Sequence, residues 1–320
     1  MLRAAGFQLL VLMSLYSGIA AAADDVDSWL DKMQHAMDMK NYEGTLVIRH
    51  GDDLNALKFV HGHTKDGDWD SLESLNGEAR QVLRENGKVT SIFPQRKLVT
   101  RSTDVLLSPL HPRLPENREV LKKFYDMSLA GEGRVAKKQA QILVVKPKDN
   151  FRYGYRFWLE KDTGLLLKCD LTDQQGKVVE QLMFSDLKLL DHAPSRQNLA
   201  LNTQGFKQID LDSGRQAAAE MKGAARKLPQ GFRLTRASSK PVFHGDGLIR
   251  QMVYSDGMAS VSVFIEQHMP EKEKLQGLVS MGALNAFGES LDGYHITVIG
   301  EVPRETVQLI GQSIQLEDLQ

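Results

Sequence analysis

From residue 142 to residue 187 the chain repeats short runs of alternating apolar and polar side chains, a pattern typical of antiparallel β-strands. We predict four strands here, Ile142–Lys146, Tyr153–Glu160, Leu165–Leu171 and Val178–Leu187. Asp162-Thr163-Gly164 and a second short turn sequence separate the last three, as in consecutive hairpins. Such alternation predicts a curved sheet with one face packed on a core and the other face in water.

A helix and a β-meander are predicted before this sheet. Apolar residues recur at spacings of three and four, which forms one helical face, and they are Val26, Trp29, Leu30, Met33 and Met37. Asn41 ends this helix, and β-rich runs follow. Asn76-Gly77 and Asn86-Gly87 favour tight hairpins, because both positions of such a turn need positive φ. Residues 101–120 contain three prolines and are predicted to form a loop of the kind that often acts as a lid.

The N-terminus has the pattern of a secretory signal peptide. Arg3 is the only charged residue before Asp24, and an apolar run from Phe7 ends in four alanines at Ala20–Ala23. A positive start, a short apolar region and an A-x-A cleavage site indicate that residues 1–23 are removed. The run is too short for a membrane span, which needs about 20 apolar residues. We therefore expect the mature chain to work in the periplasm.

Charge and cysteine content exclude two classes of protein. Removal of residues 1–23 takes away only Arg3 among the charged residues, so the mature chain has a net charge of −2. This balance gives no basis for nucleic-acid binding. Cys169 is the only cysteine, so no internal disulfide forms and stability must come from the core. We predict that Cys169 is buried and inert.

The sequence predicts an α+β protein with two domains. Residues 24–190 form the larger, mainly β domain, and residues 191–227 are rich in small and polar residues and read as a linker. A sheet excursion is expected near Phe206–Leu211. Residues 228–320 form a smaller α+β domain, with strands Leu248–Tyr254, Ala259–Glu266 and Tyr294–Glu301 and helix Arg304–Ile314.

Two short motifs have the letters of known catalytic or metal sites, and both are better explained as structure. Asp162-Thr163-Gly164 matches the aspartic-protease triplet, but its counterpart Asp212-Ser213-Gly214 lacks the apolar strand context that the paired carboxylates require. His61-x-His63 places two imidazoles on one strand face, yet zinc needs three or four ligands. A solvated strand end is the favoured interpretation. We expect neither catalysis nor a metal or cofactor.

The concave face of a partly open barrel is the candidate binding site, because it would offer apolar surface to an acyl chain or a peptide. A filled core is the competing interpretation for each side chain. Methionine suits an adaptable surface of this kind. The candidate lipid-pocket residues are Trp29, Met33, Met37, Phe59, Leu72, Leu75, Phe93 and Tyr155.

Six motif segments follow one another in a fixed order along nearly the whole predicted mature chain. They are NYEGT (Asn41–Thr45), NGEARQVLR (Asn76–Arg84), RYGYRFWLEKDTGLLLK (Arg152–Lys168), LPQGF (Leu228–Phe232), YSDG with SVFIE (Tyr254–Gly257 and Ser262–Glu266) and VIGEVP (Val298–Pro303). In this order they resemble the RseB/MucB family of periplasmic sigma-E regulators. Asp104–Leu121 and His192–Ala225 match that family poorly.

The resemblance implies a fold and a function. The first domain would be a half-open antiparallel β-barrel with helices, like the lipoprotein carriers LolA and LolB, and a smaller α+β domain would follow. The family binds the periplasmic part of a membrane anti-sigma factor of the RseA or MucA type and shields it from a DegS-type protease. A lipid signal, such as mislocalised lipopolysaccharide, would release that partner. A homo-oligomer is compatible with this role.

A periplasmic lipid or lipoprotein carrier is the alternative function. The second domain favours the regulator, because a bare carrier needs only the barrel. We further predict that exposed strand edges around Tyr254 and Ala259–Glu266 capture an extended segment of the partner by strand addition. The candidate partner-binding residues are Tyr254, Ser262, Phe264 and Glu266.

Overall fold

Alternating apolar and polar residues build two sheets in the computed structural model of the chain. The structure describes residues 20–103, 118–195, 202–212, 216–217, 225–241, 247–267 and 274–316. The predicted signal peptide therefore lies almost wholly outside the described residues, as do most of the predicted 101–120 loop and part of the predicted linker. No helix in the described part of the chain is long and apolar enough to span a bilayer.

In the described part of the chain the first sheet has twelve strands and is open. In chain order they are β1 (Asn41–His50), β2 (Asp53–Thr64), β3 (Gly67–Ser74), β4 (Gln81–Glu85), β5 (Lys88–Phe93), β6 (Leu98–Ser102), β7 (Tyr125–Val135), β8 (Lys138–Pro147), β9 (Gly154–Glu160), β10 (Leu166–Thr172), β11 (Val178–Leu190) and β12 (Lys207–Asp210). Across the sheet the order is β12-β6-β5-β4-β3-β2-β1-β11-β10-β9-β8-β7. The half-open architecture is confirmed, and β8–β11 confirm the four strands predicted between residues 142 and 187.

The first sheet departs from the predictions at three strands. β6 was not predicted, and its last two residues fall in the predicted 101–120 loop. β12 falls within the predicted linker, at the expected sheet excursion, and pairs with β6 in parallel, whereas an antiparallel sheet was predicted. β7 was not predicted, because Gly131 and Gly133 and a bulge between Leu129 and Glu132 interrupt its alternation. The domain boundaries themselves stay a prediction.

Helix α1 (Ala20–Met39) packs against the first sheet through the predicted apolar face. Leu30 and Ala36 are fully buried, and Met33 is 1% exposed. Their core cluster takes side chains from β1–β3 and from β7–β11. Strands that are far apart in the sheet order thus meet around one helix, so the sheet wraps around α1. A second helix, α2 (Arg118–Phe124), adds Leu121 and Phe124 to the same core.

The second sheet has seven strands and carries one helix. Its strands are β13 (Gln216–Ala217), β14 (Arg233–Pro241), β15 (Leu248–Ser255), β16 (Ser260–Gln267), β17 (Gly277–Met281), β18 (Leu284–Leu291) and β19 (Tyr294–Gly300). They lie in the order β13-β14-β15-β16-β19-β18-β17. Helix α3 (Arg304–Gly311) covers one face, where Val261, Val263 and Ile265 share a core with Val307 and Ile310. The first sheet with α1 and α2 is called the first unit below, and the second sheet with α3 the second unit.

The predicted strand edge for partner capture is wrong. β16 lies between β15 and β19 and is paired on both sides, so its backbone cannot accept another strand. Tyr254 lies on β15, which is also paired on both sides, and its side chain is only 1% exposed because it faces the α3 side of the sheet. Ser262, Phe264 and Glu266 point to the opposite face and are half-buried.

The two Asn-Gly turn signals have different outcomes. Asn86 and Gly87 have φ of 48° and 74° and form the predicted tight hairpin between β4 and β5. Asn76-Gly77 instead lies in a longer connection between β3 and β4, where Gly77 alone of the pair has positive φ. The Asn76 side chain crosses to β2, where it accepts a hydrogen bond from the Ala56 amide at 2.7 Å.

The connection between β8 and β9 joins the two units through three consecutive residues. Thr306 Oγ1 of α3 donates to the carbonyl oxygen of Phe151 at 2.7 Å. Asn285 Nδ2 of β18 donates to the Tyr153 hydroxyl at 3.1 Å. Arg152 lies between these residues and enters the interface completely. A single short segment of the first unit therefore contacts three parts of the second.

The guanidinium of Arg152 is the centre of this interface. Its Nη1 donates to Asp256 Oδ2 at 2.6 Å, and its Nη2 donates to the carbonyl oxygen of Gln230 at 2.6 Å. Its Nε donates to Asp149 Oδ1 at 3.1 Å. The Tyr125 hydroxyl also donates to Asp256 Oδ2, at 2.9 Å. Burial of this ion pair is tolerated because hydrogen bonds satisfy both charges.

Aromatic rings from both units surround the Arg152 guanidinium. Its Cζ lies 4.9 Å from the ring centroid of Phe124 and 5.3 Å from that of Phe232. Between these rings runs Gly231, with φ of +90°, where an added Cβ would lie 2.4 Å from Phe124. Only glycine fits this backbone position beside the ring.

Replacement of Arg152 by methionine should lower the free energy of unfolding by about 3–5 kcal/mol, because it leaves the Asp256 carboxylate buried and unpaired. Urea denaturation of the mature chain, followed by tryptophan fluorescence, measures this loss. The matched control is Arg156→Met, at an exposed position of β9, with an expected change within about 0.5 kcal/mol. Adding Asp256→Asn to Arg152→Met should recover part of the loss. Equal stability of Arg152→Met and its control would contradict the assignment.

Candidate binding cavity between the two sheets

A cavity of about 1030 Å³ lies between the two units. Strands β1–β4 and β9–β11 form one wall, and β14–β16, β18 and β19 form the other. Ligand sites in proteins have volumes of roughly 300–1,000 Å³ and are mainly apolar with a few placed polar groups. The cavity is at the upper end of this range, and both units are needed to enclose it.

The wall from the first unit follows directly from the two-residue period of β-strands. On each strand, pairs of side chains that line the cavity are two residues apart. The side chain between the two members of a pair does not line the cavity. The pairs are Ile48 and His50, Asn55 and Leu57, Leu72 and Ser74, Val82 and Arg84, Cys169 and Leu171, and Glu180 and Leu182. The wall therefore combines apolar residues with polar residues toward the strand ends.

The wall from the second unit is a row of cross-strand neighbours on the face that α3 leaves uncovered. Arg236 pairs with Val253, Val253 with Ser262, and Ser262 with Ile299. All four line the cavity. Because Ser262 is central in this row and small, it leaves space that a larger side chain would fill.

One region of the cavity is acidic. His50 Nδ1 lies 2.9 Å from Glu180 Oε2, and Glu301 of the second unit lines the same cavity. The hydrogen bond to Glu180 raises the pKa of His50. Desolvation raises the pKa of Glu301, and the neighbouring Glu180 charge raises it further. Titratable groups from both units thus interact across the cavity.

Another region of the cavity is basic. Arg80 and Arg84 both line it, next to Val82 of β4. Arg84 is neutralised, because its Nε donates to Asp70 Oδ2 at 2.6 Å. Desolvation lowers the pKa of Arg80, whose side chain is exposed at the edge of the cavity. The cavity is therefore electrostatically asymmetric.

Tyr155 and Cys169 line the floor of the cavity. Desolvation raises the pKa of the Tyr155 hydroxyl and that of the Cys169 thiol. Cys169 is only half-buried, which corrects the prediction of a buried thiol. A raised pKa keeps this thiol protonated, and a thiol is a far weaker nucleophile than a thiolate.

The structure places two of the predicted lipid-pocket residues, Leu72 and Tyr155, in the cavity wall. Met33, Met37 and Phe59 are packed in the core around α1 and do not line the cavity, so the filled-core interpretation holds for them. The remaining candidates are elsewhere: Trp29 is half-buried against that core, Leu75 is 53% exposed, and Phe93 lies beneath the guanidinium groups of Arg80 and Arg96. Ser262, predicted as a partner contact, also lines the cavity.

The prediction that the His61-x-His63 pair is a solvated strand end is wrong for His61. Its side chain is 1% exposed, and Nδ1 lies 2.6 Å from Asp70 Oδ1. Tyr42 stacks on the imidazole at a centroid distance of 5.1 Å. His63, at the strand end, pairs with Asp68. Within the described ranges, no group of three or more histidine, cysteine or acidic side chains is arranged to hold a metal.

Asp162-Thr163-Gly164 forms the predicted turn between β9 and β10. Glu160 Oε2 accepts hydrogen bonds from the Thr163 amide at 2.7 Å and from its hydroxyl at 2.6 Å. Gly164 has φ of +82° and closes against Lys32 of α1, where an added Cβ would meet the side chain at 2.5 Å. The triplet has a structural role in joining the sheet to the helix.

Comparison with known proteins identifies relatives over both units. Residues 25–204 match the family of the MucB/RseB N-terminal domain, and residues 217–315 match that of the MucB/RseB C-terminal domain. The chain is 30% identical to the sigma factor AlgU regulatory protein MucB of Pseudomonas aeruginosa, covering 97% of this chain and 96% of that protein. It is 26% identical to the sigma-E factor regulatory protein RseB of Haemophilus influenzae, covering 97% of each.

Solved structures give the same relationship. A crystal structure of MucB in complex with MucA(peri) superposes with a TM-score of 0.68 at 27% identity, covering 91% of this chain and 98% of that one. The complex of MucA and MucB from Pseudomonas aeruginosa gives a TM-score of 0.69 at 26% identity, with the same coverage.

The pKa of His50 should fall in a Glu180→Gln variant, because the hydrogen bond and charge that stabilise the imidazolium are lost. Glu301→Gln should lower it as well, by less, because Glu301 acts through its charge alone. Histidine NMR titration measures both shifts. Glu132→Gln, on the distant edge strand β7, is the control and should leave His50 unchanged.

The same variants test how the free energy of unfolding depends on pH. Because the pKa of His50 is raised, the stabilisation from its ion pair is fully present below about pH 6.5, where an unfolded histidine titrates, and is lost as pH rises through the folded-state value. The stability difference between the parent and Glu180→Gln should therefore shrink as pH rises. A difference that grows with pH would contradict the assignment.

Proposed function

Because the chain belongs to the MucB/RseB family, we propose that it binds the periplasmic part of a membrane anti-sigma factor and so restrains an envelope-stress sigma factor. The observation that carries this proposal is the full-length likeness to MucB solved with MucA(peri), which includes both units. A relative with the lipid-carrier fold alone would match only the first unit. The family is a regulatory one, and the proposed activity is binding without catalysis.

The signal-peptide pattern supports a periplasmic location. With residues 1–23 removed, the mature chain shares a compartment with the exposed part of a membrane-bound partner. The partner-facing surface is proposed to include the face of the second sheet opposite α3, where Ser262, Phe264 and Glu266 remain half-buried. Binding there shields the partner from its first protease.

Release is proposed to depend on a lipid in the cavity between the units. The first wall offers apolar residues, among them Leu57, Leu72 and Val82, and the cavity is large enough for an acyl chain. If lipid prefers the partner-free form, linkage requires that it weaken partner binding by the same factor by which the partner weakens lipid binding. A coupling of about 1–3 kcal/mol corresponds to a roughly 5- to 150-fold change in affinity.

A periplasmic lipid or lipoprotein carrier remains the second candidate function, and the size of the cavity is the observation that favours it. The two functions differ in their partner. A carrier binds lipid with no affinity for an anti-sigma segment, whereas a regulator binds both in competition.

The mature chain, residues 24–320, should bind the periplasmic segment of the anti-sigma factor from the same genome, and lipopolysaccharide should weaken this binding at least fivefold. Isothermal titration calorimetry with and without lipid measures both affinities. Titration of the segment into lipopolysaccharide alone controls for depletion of the segment by free lipid. Lipid binding with no affinity for the segment would contradict the regulator and favour the carrier.

A Ser262→Phe variant should lose lipid affinity roughly tenfold, because the ring fills the centre of the second wall. Ser185→Phe, at an exposed position of β11, is the matched control and should bind lipid like the parent. Equilibrium binding of a radiolabelled fatty acid measures the effect. Unchanged affinity in Ser262→Phe would place the lipid outside this cavity.

A further inference from the structure

Arg80 lies at the cavity on a connection that the fold holds in place. The Ser74 amide donates to the carbonyl oxygen of Arg80 at 2.9 Å, which fixes the end of the connection to β3. The Asn76 side chain ties its middle to β2, where its Nδ2 donates to the carbonyl oxygen of Leu54 at 2.8 Å. The backbone that carries Arg80 is thus anchored at two points, although it lies outside regular strand structure.

The Arg80 guanidinium has no carboxylate within ion-pair distance among the described residues. Glu78, the acid nearest in sequence, is bound by Arg96, whose Nε and Nη2 donate to its two oxygens at 2.6 and 2.7 Å. With its described neighbours Arg80 makes only a long hydrogen bond, from Nη2 to Ser91 Oγ at 3.4 Å, and it lies 5.4 Å from the ring centroid of Phe93. Most of its donors remain available to a ligand.

Apolar surface begins directly beside Arg80. Val82 follows two residues later and pairs with Leu72 across β4 and β3, and both side chains line the cavity. Leu57 and Ile48 extend the apolar wall toward β1. A cation is therefore placed at the border of an apolar surface, an arrangement that suits a ligand with a charged head and an apolar chain.

The acidic region lies on the other side of this wall. Glu180 is on β11, four strands from β4 in the sheet order, which corresponds to roughly 19 Å at the usual strand spacing. Glu301 lines the cavity and interacts electrostatically with Glu180. An anionic head near these carboxylates would be repelled, so the two regions together favour one orientation.

We propose that Arg80 is the anion subsite of the cavity and binds the phosphate or carboxylate head of an amphiphile whose chain lies along Leu72, Val82 and Leu57. This inference rests on the proposed lipid-binding role of the cavity and adds the charge of the ligand and its orientation. The planar guanidinium can form paired hydrogen bonds with either oxyanion.

The test compares three amphiphiles with the same twelve-carbon chain, each below its critical micelle concentration: dodecyl phosphate, dodecanoate and uncharged dodecyl maltoside. Titration calorimetry of the mature chain should show at least one anion binding about tenfold more tightly than the maltoside. Arg80→Gln should abolish this preference while keeping the affinity for the maltoside, and Arg80→Lys should retain part of it. A tenfold change corresponds to about 1.4 kcal/mol.

Arg49→Gln is the matched control, because it removes the same charge from β1, where Arg49 lies between the cavity-lining residues Ile48 and His50 and faces away from the cavity. This variant should keep the preference for anions. A preference for phosphate alone or for carboxylate alone would distinguish a phosphorylated lipid head from a fatty acid.

Each remaining result would overturn the subsite. Equal binding of all three amphiphiles, or an anion preference that survives Arg80→Gln, would leave a lipid cavity without this subsite. Absence of binding by every amphiphile would remove the subsite together with the lipid ligand. In each case, affinity for the anti-sigma segment measured on the same samples reports on the proposed regulator function separately. If that affinity alone depended on Arg80, the anion would belong to the peptide.

Discussion

The buried ion pair between Arg152 and Asp256 is the interaction on which the arrangement of the two sheets depends. Asp256 accepts hydrogen bonds from Arg152 and Tyr125 through Oδ2 and from the amides of Met258 and Ala259 through Oδ1. The second set shapes the turn between β15 and β16, and that turn lines the cavity. The same carboxylate therefore joins the two units and holds the turn that forms part of the cavity wall.

This coupling connects packing to function. The first unit alone offers a mixed apolar and polar face, and the second alone offers the row formed by Arg236, Val253, Ser262 and Ile299. Held together, they enclose a space with a basic region and an acidic region. A ligand that needs both walls must alter the equilibrium between joined and separated units. A partner that contacts both units will respond to that change. The proposed regulation by a lipid would then require no moving part beyond the interface.

Much of the fold follows from sequence periodicity. The two-residue period of strands predicts β8–β11 and also determines which side chains line the cavity wall, and the helical spacing of α1 predicts its buried face. The same period could not tell how far along this face α1 extends, because Phe59 and Leu72 are cross-strand partners on the same face of the sheet. For this reason Phe59 was as good a candidate as Leu72, although only Leu72 lines the cavity.

Other features depend on tertiary contacts that no local pattern encodes. β17 and β18 were not predicted. β17 is a short, largely exposed edge strand that begins at a glycine. His61 is buried because Asp70 pairs with it from the next strand, a contact nine residues distant in sequence. Arg80 appears in the sequence as an ordinary loop arginine, and its significance arises because Arg96 already occupies Glu78. In the sequence, Arg152 stands out only as the first residue of the motif Arg152–Lys168. Its partner Asp256 is 104 residues away, so no local pattern connects the two.

The distance between the two units is the most direct test of the central claim, that Arg152 holds the sheets face to face. Spin labels at Lys88→Cys on β5 and Glu305→Cys on α3, in a Cys169→Ser background, report this distance by double electron–electron resonance. The account predicts one narrow distance distribution in the parent and a broad one after Arg152→Met, with no broadening after Arg156→Met. An equally narrow distribution at the same distance in Arg152→Met would contradict it.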